Sequence, residues 1–139
     1  MTMVGSESPL LWWHGFPIAF ALTCAIELPA YLGAFASLGW CRPGALTWRS
    51  ALGLALAVNL ISHPLLWGLS LGLVQTAPLL MAEIGVALVE GLLIFAVVQR
   101  RRVGEGKAGR LGWSLLCGVG VNTLSLLVGL LVLPRFLSV

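Results

Sequence analysis

The chain has 139 residues, of which 59% are apolar and 9% are charged, and its mean hydropathy is +1.01. A soluble domain carries about 25% charged residues, so this composition excludes a soluble globular protein and predicts an integral membrane protein. The net charge of +3 is too small to predict a nucleic-acid partner. The three cysteines are widely spaced, so they predict neither a disulfide framework nor a metal site.

Four apolar runs are long enough to cross a bilayer, because about 20 residues of helix span its hydrocarbon core. The first run, 10–40, is longer than one span needs, and Pro17 within it suits the first turn of a helix. We therefore expect this span to begin at Pro17. The predicted spans are 17–39, 51–73, 79–98 and 111–133, separated by connections at 41–50, 74–78 and 99–110.

The positive charges predict how the helices are oriented. Seven of the eight Lys and Arg residues lie in the first and third connections, and only Arg135 lies elsewhere. Because cytoplasmic loops carry an excess of Lys and Arg, we predict both of these loops inside and both chain ends outside. Trp40, Trp48 and Trp113 then share the inner headgroup level, where indole rings are enriched.

One spacing of polar residues occurs twice, with an offset of 63 residues. The pattern is Glu, 31 residues, Asn, two residues, Ser, and it includes the only two asparagines of the chain. Its members are Glu27, Asn59 and Ser62 in the first copy and Glu90, Asn122 and Ser125 in the second. Such residues are rare inside spans. We therefore predict one all-α membrane domain, a four-helix bundle made of two tandem hairpins in parallel orientation, at about 10–73 and 79–133.

Both acids and both amides are predicted to lie near the bilayer midplane. Counted from the span boundaries, Glu27, Asn59, Glu90 and Asn122 fall within about two helical turns of it. An ionised carboxylate that faces lipid at this depth costs at least about 2.5 kcal/mol, so the four side chains should turn towards each other. The simplest pairing joins the glutamate and the asparagine of each hairpin.

The first hairpin has further polar and helix-breaking residues near this cluster. His63 lies four residues after Asn59 and shares its helix face, and Trp67 follows one turn later. Pro64 removes one backbone hydrogen bond beside them. Glu83 lies two turns, or about 10.5 Å, nearer the outside than the second glutamate. We predict that Glu83, His63 and Trp67 line a path that opens outwards.

The leading hypothesis for this cluster is proton-linked or cation-linked transport of a small solute or ion. Glu27 and Glu90 would gain and lose the proton or cation, and His63 would relay it, because an imidazole changes charge near neutral pH. Four short helices are few for a complete transporter. This hypothesis therefore predicts a homo-oligomer or a subunit of a larger permease, without a cofactor.

Two alternatives remain open. The polar side chains, with Ser62 and Ser125 among them, can act as hydrogen bonds between helices in an assembly subunit of a membrane complex. His63, Glu27 and Glu90 can also bind a metal for chemistry on a lipid-soluble substrate, although no close ligand spacing such as HExxH supports an enzyme.

The surroundings of the protein are also predicted. The basic loop Arg100–Arg110 should bind anionic lipids of the inner leaflet. The Arg-rich and Leu/Ala/Gly/Val-rich composition is typical of a GC-rich bacterial gene, so we predict a multi-pass protein of the bacterial cytoplasmic membrane.

Overall fold

A computed structural model describes residues 9–70, 76–103 and 106–137, and it shows four long helices in these ranges. They are α1 (Pro9–Ser37), α2 (Trp48–Ser70), α3 (Thr76–Arg100) and α4 (Lys107–Leu137). Each contains a segment of at least 22 residues that is apolar enough to cross a membrane. The prediction of an all-α, four-span bundle is confirmed at this level. The described ranges leave out residues 71–75, which include the end of the second predicted span and the start of the second predicted connection, and residues 104–105 of the predicted basic loop.

The four helices pack in a ring that follows chain order. α1 contacts α2 and α4, and α3 contacts the same two helices, whereas the backbones of diagonal helices do not meet within the described ranges. The outer surface carries large exposed aliphatic side chains, including Leu22, Leu52, Leu56 and Leu116. A surface this apolar is suited to lipid rather than water.

We name the two ends of the bundle by their loops. The basic end carries the loops 38–47 and 101–106, and the apolar end carries the start of α3 and the last residues of α2. Several helix boundaries differ from prediction, most of all the start of α1. α1 begins at Pro9 and continues through Pro17, so the expectation that Pro17 opens the helix is wrong. α4 likewise continues to Leu137, beyond the predicted stop. A proline breaks only local hydrogen bonds, and an apolar environment favours keeping the rest of the backbone helical.

The end of α1 is closed by a Schellman motif. The N–H of Trp40 donates to the carbonyl of Phe35 at 2.8 Å, and the N–H of Gly39 donates to the carbonyl of Ala36 at 2.9 Å. Gly39 has the positive φ, 66°, that this motif requires. The buried ring of Trp40 stacks on Phe35 with 5.8 Å between centroids, so this indole caps a helix, whereas Trp48 and Trp113 are exposed.

The end of α3 repeats this motif 63 residues later. The N–H of Val103 donates to the carbonyl of Val98 at 3.0 Å, and the N–H of Arg102 donates to the carbonyl of Gln99 at 3.2 Å. Here the residue with positive φ, 51°, is Arg102 rather than glycine. A side chain in this conformation meets a steric penalty that glycine avoids.

Replacing Arg102 with glycine is therefore expected to stabilise the protein by up to about 1 kcal/mol. The matched change in the first hairpin, Gly39→Ala, should destabilise it by a similar amount. Thermal unfolding of the purified protein in detergent, followed by circular dichroism, measures both. A lower unfolding temperature for Arg102→Gly would show that the arginine side chain contributes more than its backbone conformation costs.

The backbones of α3 and α4 approach each other at two buried glycines. A Cβ atom added to Gly91 would lie 3.0 Å from the carbonyl oxygen of Ser114, and one added to Gly118 would overlap the carbonyl oxygen of Ala87. Small residues permit this distance between helices in membranes. The approach places Glu90, directly before Gly91, beside Asn122, one turn after Gly118.

Candidate functional site

Glu90 lies in the middle of α3 and joins three helices. Its side chain is 1% exposed. Tyr31 of α1 donates its O–H to Oε2 of Glu90, and Asn122 of α4 donates an N–H to the same oxygen. The Asn122 amide also donates to the carbonyl of Gly118 at 2.9 Å. The expected contact between Glu90 and Asn122 is present, and a phenol from the diagonal helix completes it.

Tyr31 was missed by the sequence analysis. Its ring is fully buried and stacks on Phe35 with 5.8 Å between centroids, in line with the cap of α1. The signal that could have found it is its place four residues after Glu27, on the same face of the helix. That spacing indicates a phenol near the acids, but not that it bonds to Glu90 of the diagonal helix.

Glu27 of α1 is almost as deeply buried as Glu90, at 3% exposed. Its carboxyl lies beside the side chains of Asn59 in α2 and Ser125 in α4, and it is close enough to Glu90 for the two charges to interact. The expected neighbours Glu27 and Asn59 therefore meet. Four helices contribute polar side chains at this level of the bundle.

Asn59 is fully buried, and only one side of its amide is bonded. Nδ2 donates to the carbonyl of Ala55 at 3.1 Å. Because a backbone carbonyl only accepts hydrogen bonds, the atom that contacts it is the nitrogen, and the remaining atom is the oxygen Oδ1. Oδ1 is buried and has no partner within the described residues. An unpaired buried acceptor costs about 1–3 kcal/mol.

His63 lies one turn after Asn59 and is half-buried among aromatic rings. Its imidazole is 5.7 Å from the ring of Phe16 and 5.4 Å from that of Phe20, between centroids. Nε2 is buried without a hydrogen bond to any described residue. Trp67 packs against Phe16, at 5.6 Å, so this face of α2 is held against α1.

A cavity of about 400 Å³ brings the predicted site residues together. All six that were predicted to bind the proton, cation or substrate line it: Glu27, Asn59, His63, Glu83, Glu90 and Asn122. Ser62 and Ser125 also line it, whereas Pro64 and Trp67 do not. The hydroxyls of Thr23 and Thr123 belong to the wall as well and were not predicted, because threonine is too common in spanning helices to stand out.

The cavity lies on the apolar side of the two deep glutamates. Leu80, which also lines it, precedes Glu90 by ten residues, so the cavity extends about 15 Å along α3 towards the apolar end. Towards the basic end, buried hydrophobic side chains fill the bundle: Tyr31, Phe35, Leu54, Ile94 and Val98. The acids therefore face a space that begins at their own level and extends towards the apolar end.

The geometry does not support a metal centre. Among the described residues, no group of three or more His, Cys, Asp or Glu side chains is placed to hold a metal ion. His63, Glu27 and Glu90 share the cavity but are not arranged as a ligand set. The hypothesis of a metal-dependent enzyme thus loses the residues on which it was based.

No protein family model, curated protein or solved structure matches this chain. A function therefore has to be inferred from the charge, shape and hydrogen bonding of the cavity itself.

Proposed function

We propose that the protein binds a proton or another cation between Glu27 and Glu90 and couples it to movement of a small solute across the membrane. The observation that carries this proposal is the cavity, in which two deep carboxyls face one space that extends towards one end of the bundle. Two carboxylates so far from bulk water are not both charged unless a cation lies with them. In alternating access, a transporter has a state in which its site is accessible from only one side of the membrane, and this cavity suits such a state.

The hydrogen bonds of Glu90 suit reversible protonation. The donors from Tyr31 and Asn122 converge on Oε2, so neither bond involves Oε1. A proton can bind to Oε1 or leave it while both bonds are kept. The carboxyl then holds its position in both states, as a relay of protons needs.

We also propose that the bundle is a duplicated hairpin with both chain ends outside. Three features repeat at the 63-residue offset: the buried acid, the asparagine that donates to the carbonyl four residues before it, and the Schellman motif at the basic end. The two halves differ where Tyr31 corresponds to Ile94, so only the second acid bonds to a phenol. With the basic end in the cytoplasm, the cavity faces outwards.

The environment follows from the same orientation. Arg100, Arg101 and Lys107 are exposed at the basic end, where they would bind anionic lipid headgroups of the inner leaflet. Gln99 binds Arg110 at 2.8 Å. We propose a bacterial cytoplasmic membrane as the location, and a homo-oligomer or a larger permease as the working unit, because four helices enclose little space for a complete transport path.

The network around Glu90 favours one second candidate, a structural subunit. Hydrogen bonds that join α1, α3 and α4 at one oxygen would also fix the order of helices in an assembly. This function needs the bonds alone, whereas transport needs the carboxyl to exchange a proton. Glutamine keeps an acceptor for the same donors but holds no exchangeable acid, so it separates the two functions.

Glu27→Gln and Glu90→Gln are each expected to abolish proton flux without unfolding the protein. The measurement is uptake of protons into liposomes that contain a pH-sensitive dye and the purified protein, under an imposed pH gradient. Size-exclusion chromatography in detergent checks that each variant elutes as the wild type does. Gly120→Ala is the matched control, since nothing lies within 4 Å of the added methyl group. Undiminished flux in both glutamine variants would show that these carboxyls do not carry the proton. No flux above that of empty liposomes in the wild type itself would refute transport and favour the structural subunit.

A further inference from the structure

The wall of the cavity has more hydrogen-bond acceptors than donors. Three glutamates line it, and no Lys or Arg does among the described residues. Both N–H groups of Asn122 are already donated, to Glu90 and to Gly118. The hydroxyl of Thr123 is donated to the carbonyl of Val119 at 2.7 Å. A ligand that fits this wall must bring donors and positive charge with it.

Asn59 gives an independent sign of a missing donor. Its side chain is fully buried, lines the cavity beside Glu27, and leaves Oδ1 without a partner in the described structure. Native proteins rarely leave a buried acceptor unpaired. Neither a neutral hydrocarbon nor a quaternary ammonium would satisfy it, whereas an N–H donor would.

His63 marks a second polar point on the same wall. It lies one turn from Asn59, a rise of about 6 Å along α2, and its Nε2 is buried without a partner in the described ranges. The surrounding rings of Phe16 and Phe20 offer it no N–H or O–H donor. When its proton is on Nδ1, a neutral imidazole presents Nε2 as an acceptor. A group with several N–H donors can serve both points.

The rest of the wall is aliphatic. Towards the apolar end it is formed by side chains from three helices: Leu66, Leu80, Ile84 and Leu126. A volume of about 400 Å³ lies within the range of small-molecule sites. A ligand that places its charge among the acids would therefore place an apolar body against these side chains.

We propose that the solute is a small organic amine in its protonated form, a primary or secondary ammonium with a compact apolar body. The ammonium group lies between Glu27 and Glu90 and donates to Oδ1 of Asn59, and the body points towards Leu80. This inference rests on the proposed function, since it names the solute. A quaternary ammonium balances the charge but leaves Oδ1 unpaired, an alcohol brings a donor without charge, and a carboxylate brings the wrong charge.

Four probes of similar shape test these distinctions: 2-phenylethylamine, its N,N,N-trimethyl derivative, 2-phenylethanol and 3-phenylpropionate. Isothermal titration calorimetry of the purified protein in detergent measures binding, with detergent alone as the blank. The primary amine is expected to bind. The quaternary amine and the alcohol should bind at least about tenfold more weakly, because each loses a charge-assisted hydrogen bond or the charge itself. The carboxylate should not bind.

Asn59→Leu should remove the preference for the primary over the quaternary amine, and Gly120→Ala, outside the cavity wall, should keep that preference. If Asn59→Leu does not fold, the probe series on the wild type decides alone. Equal or tighter binding of any of the other three probes, or no binding of the primary amine, overturns the inference. Amine binding without proton flux, when flux is measured with the amine present, supports the amine site and refutes proton-coupled transport, whereas proton flux without amine binding refutes the inference and leaves the proposed function in place.

Discussion

Glu90→Ala is expected to destabilise the bundle by about 2–6 kcal/mol, because it leaves two buried donors unpaired and each costs about 1–3 kcal/mol. These donors are the O–H of Tyr31 and an N–H of Asn122, which both contact Oε2 of Glu90. The side chain is 1% exposed, so water does not readily replace it. A loss of this size is a large part of the 5–15 kcal/mol that typically separates folded from unfolded protein.

Three further variants isolate the cause of this loss. Glu90→Gln keeps an acceptor oxygen and should lose less than about 1 kcal/mol, while Tyr31→Phe removes one bond and should fall in between. Glu83→Ala, at a half-buried position in the same cavity, is the control for losing a carboxyl as such. Thermal unfolding in detergent, followed by circular dichroism, ranks the four. If Glu90→Ala and Glu90→Gln unfold at the same temperature, the network does not hold the helices together.

Gly118→Ala is expected to destabilise the contact between α3 and α4, because the new methyl group overlaps the carbonyl oxygen of Ala87. Overpacking usually costs about 1–3 kcal/mol, and here the obstacle is backbone, so the helices themselves must move apart. The loss should therefore lie at the upper end of that range. It should also weaken the hydrogen bond that Asn122, one turn further along α4, donates to Glu90.

Gly120→Ala is the matched control on the same helix, since nothing lies within 4 Å of its added Cβ. Alanine favours helix over glycine by about 1 kcal/mol, so this variant should be neutral or slightly more stable. Thermal unfolding of both proteins under one detergent condition makes the comparison. A Gly118→Ala protein as stable as Gly120→Ala would mean that the two helices are not in backbone contact.

The helices could be predicted from the sequence because a spanning segment needs only length and hydropathy. Their ends were harder. Pro17 is a plausible first-turn residue, yet α1 runs through it from Pro9. Whether a helix begins at a proline or continues through it depends on what surrounds the chain. At the basic end, the positive φ of Arg102 has no sign in the sequence, because glycine is the residue expected there.

The depth of each polar residue was predictable, because residues on a helix rise regularly. Counting along the spans placed Glu27, Asn59, Glu90 and Asn122 at one level, and they line one cavity. Counting residues does not predict which side chain of another helix each of them contacts. Whether Tyr31 bonds to the diagonal helix depends on the rotation of α1 and on how closely the ring of helices packs.

The same limit explains the asymmetry of the two hairpins. Glu27 and Glu90 occupy equivalent positions in the repeat, but only Glu90 accepts a hydrogen bond from Tyr31. It also explains His63, whose neighbours Phe16 and Phe20 come from α1. Its distance from Asn59 along α2 was known from the sequence, whereas its aromatic surroundings follow from the rotation of two helices against each other.

Accessibility of single cysteines tests the central claim, that the acids face a cavity which opens outwards, most directly. Burial raises the pKa of the Cys41 thiol and slows its reaction near neutral pH, but Cys24, Cys41 and Cys117 are all replaced to remove any background. Glu83→Cys and the lipid-facing Leu116→Cys are then compared in intact cells with a cationic, membrane-impermeant thiol reagent. Glu83→Cys should react from the outside and Leu116→Cys should not. Protection of Glu83→Cys from outside, or its reaction only after the cytoplasmic face is opened, would contradict the account.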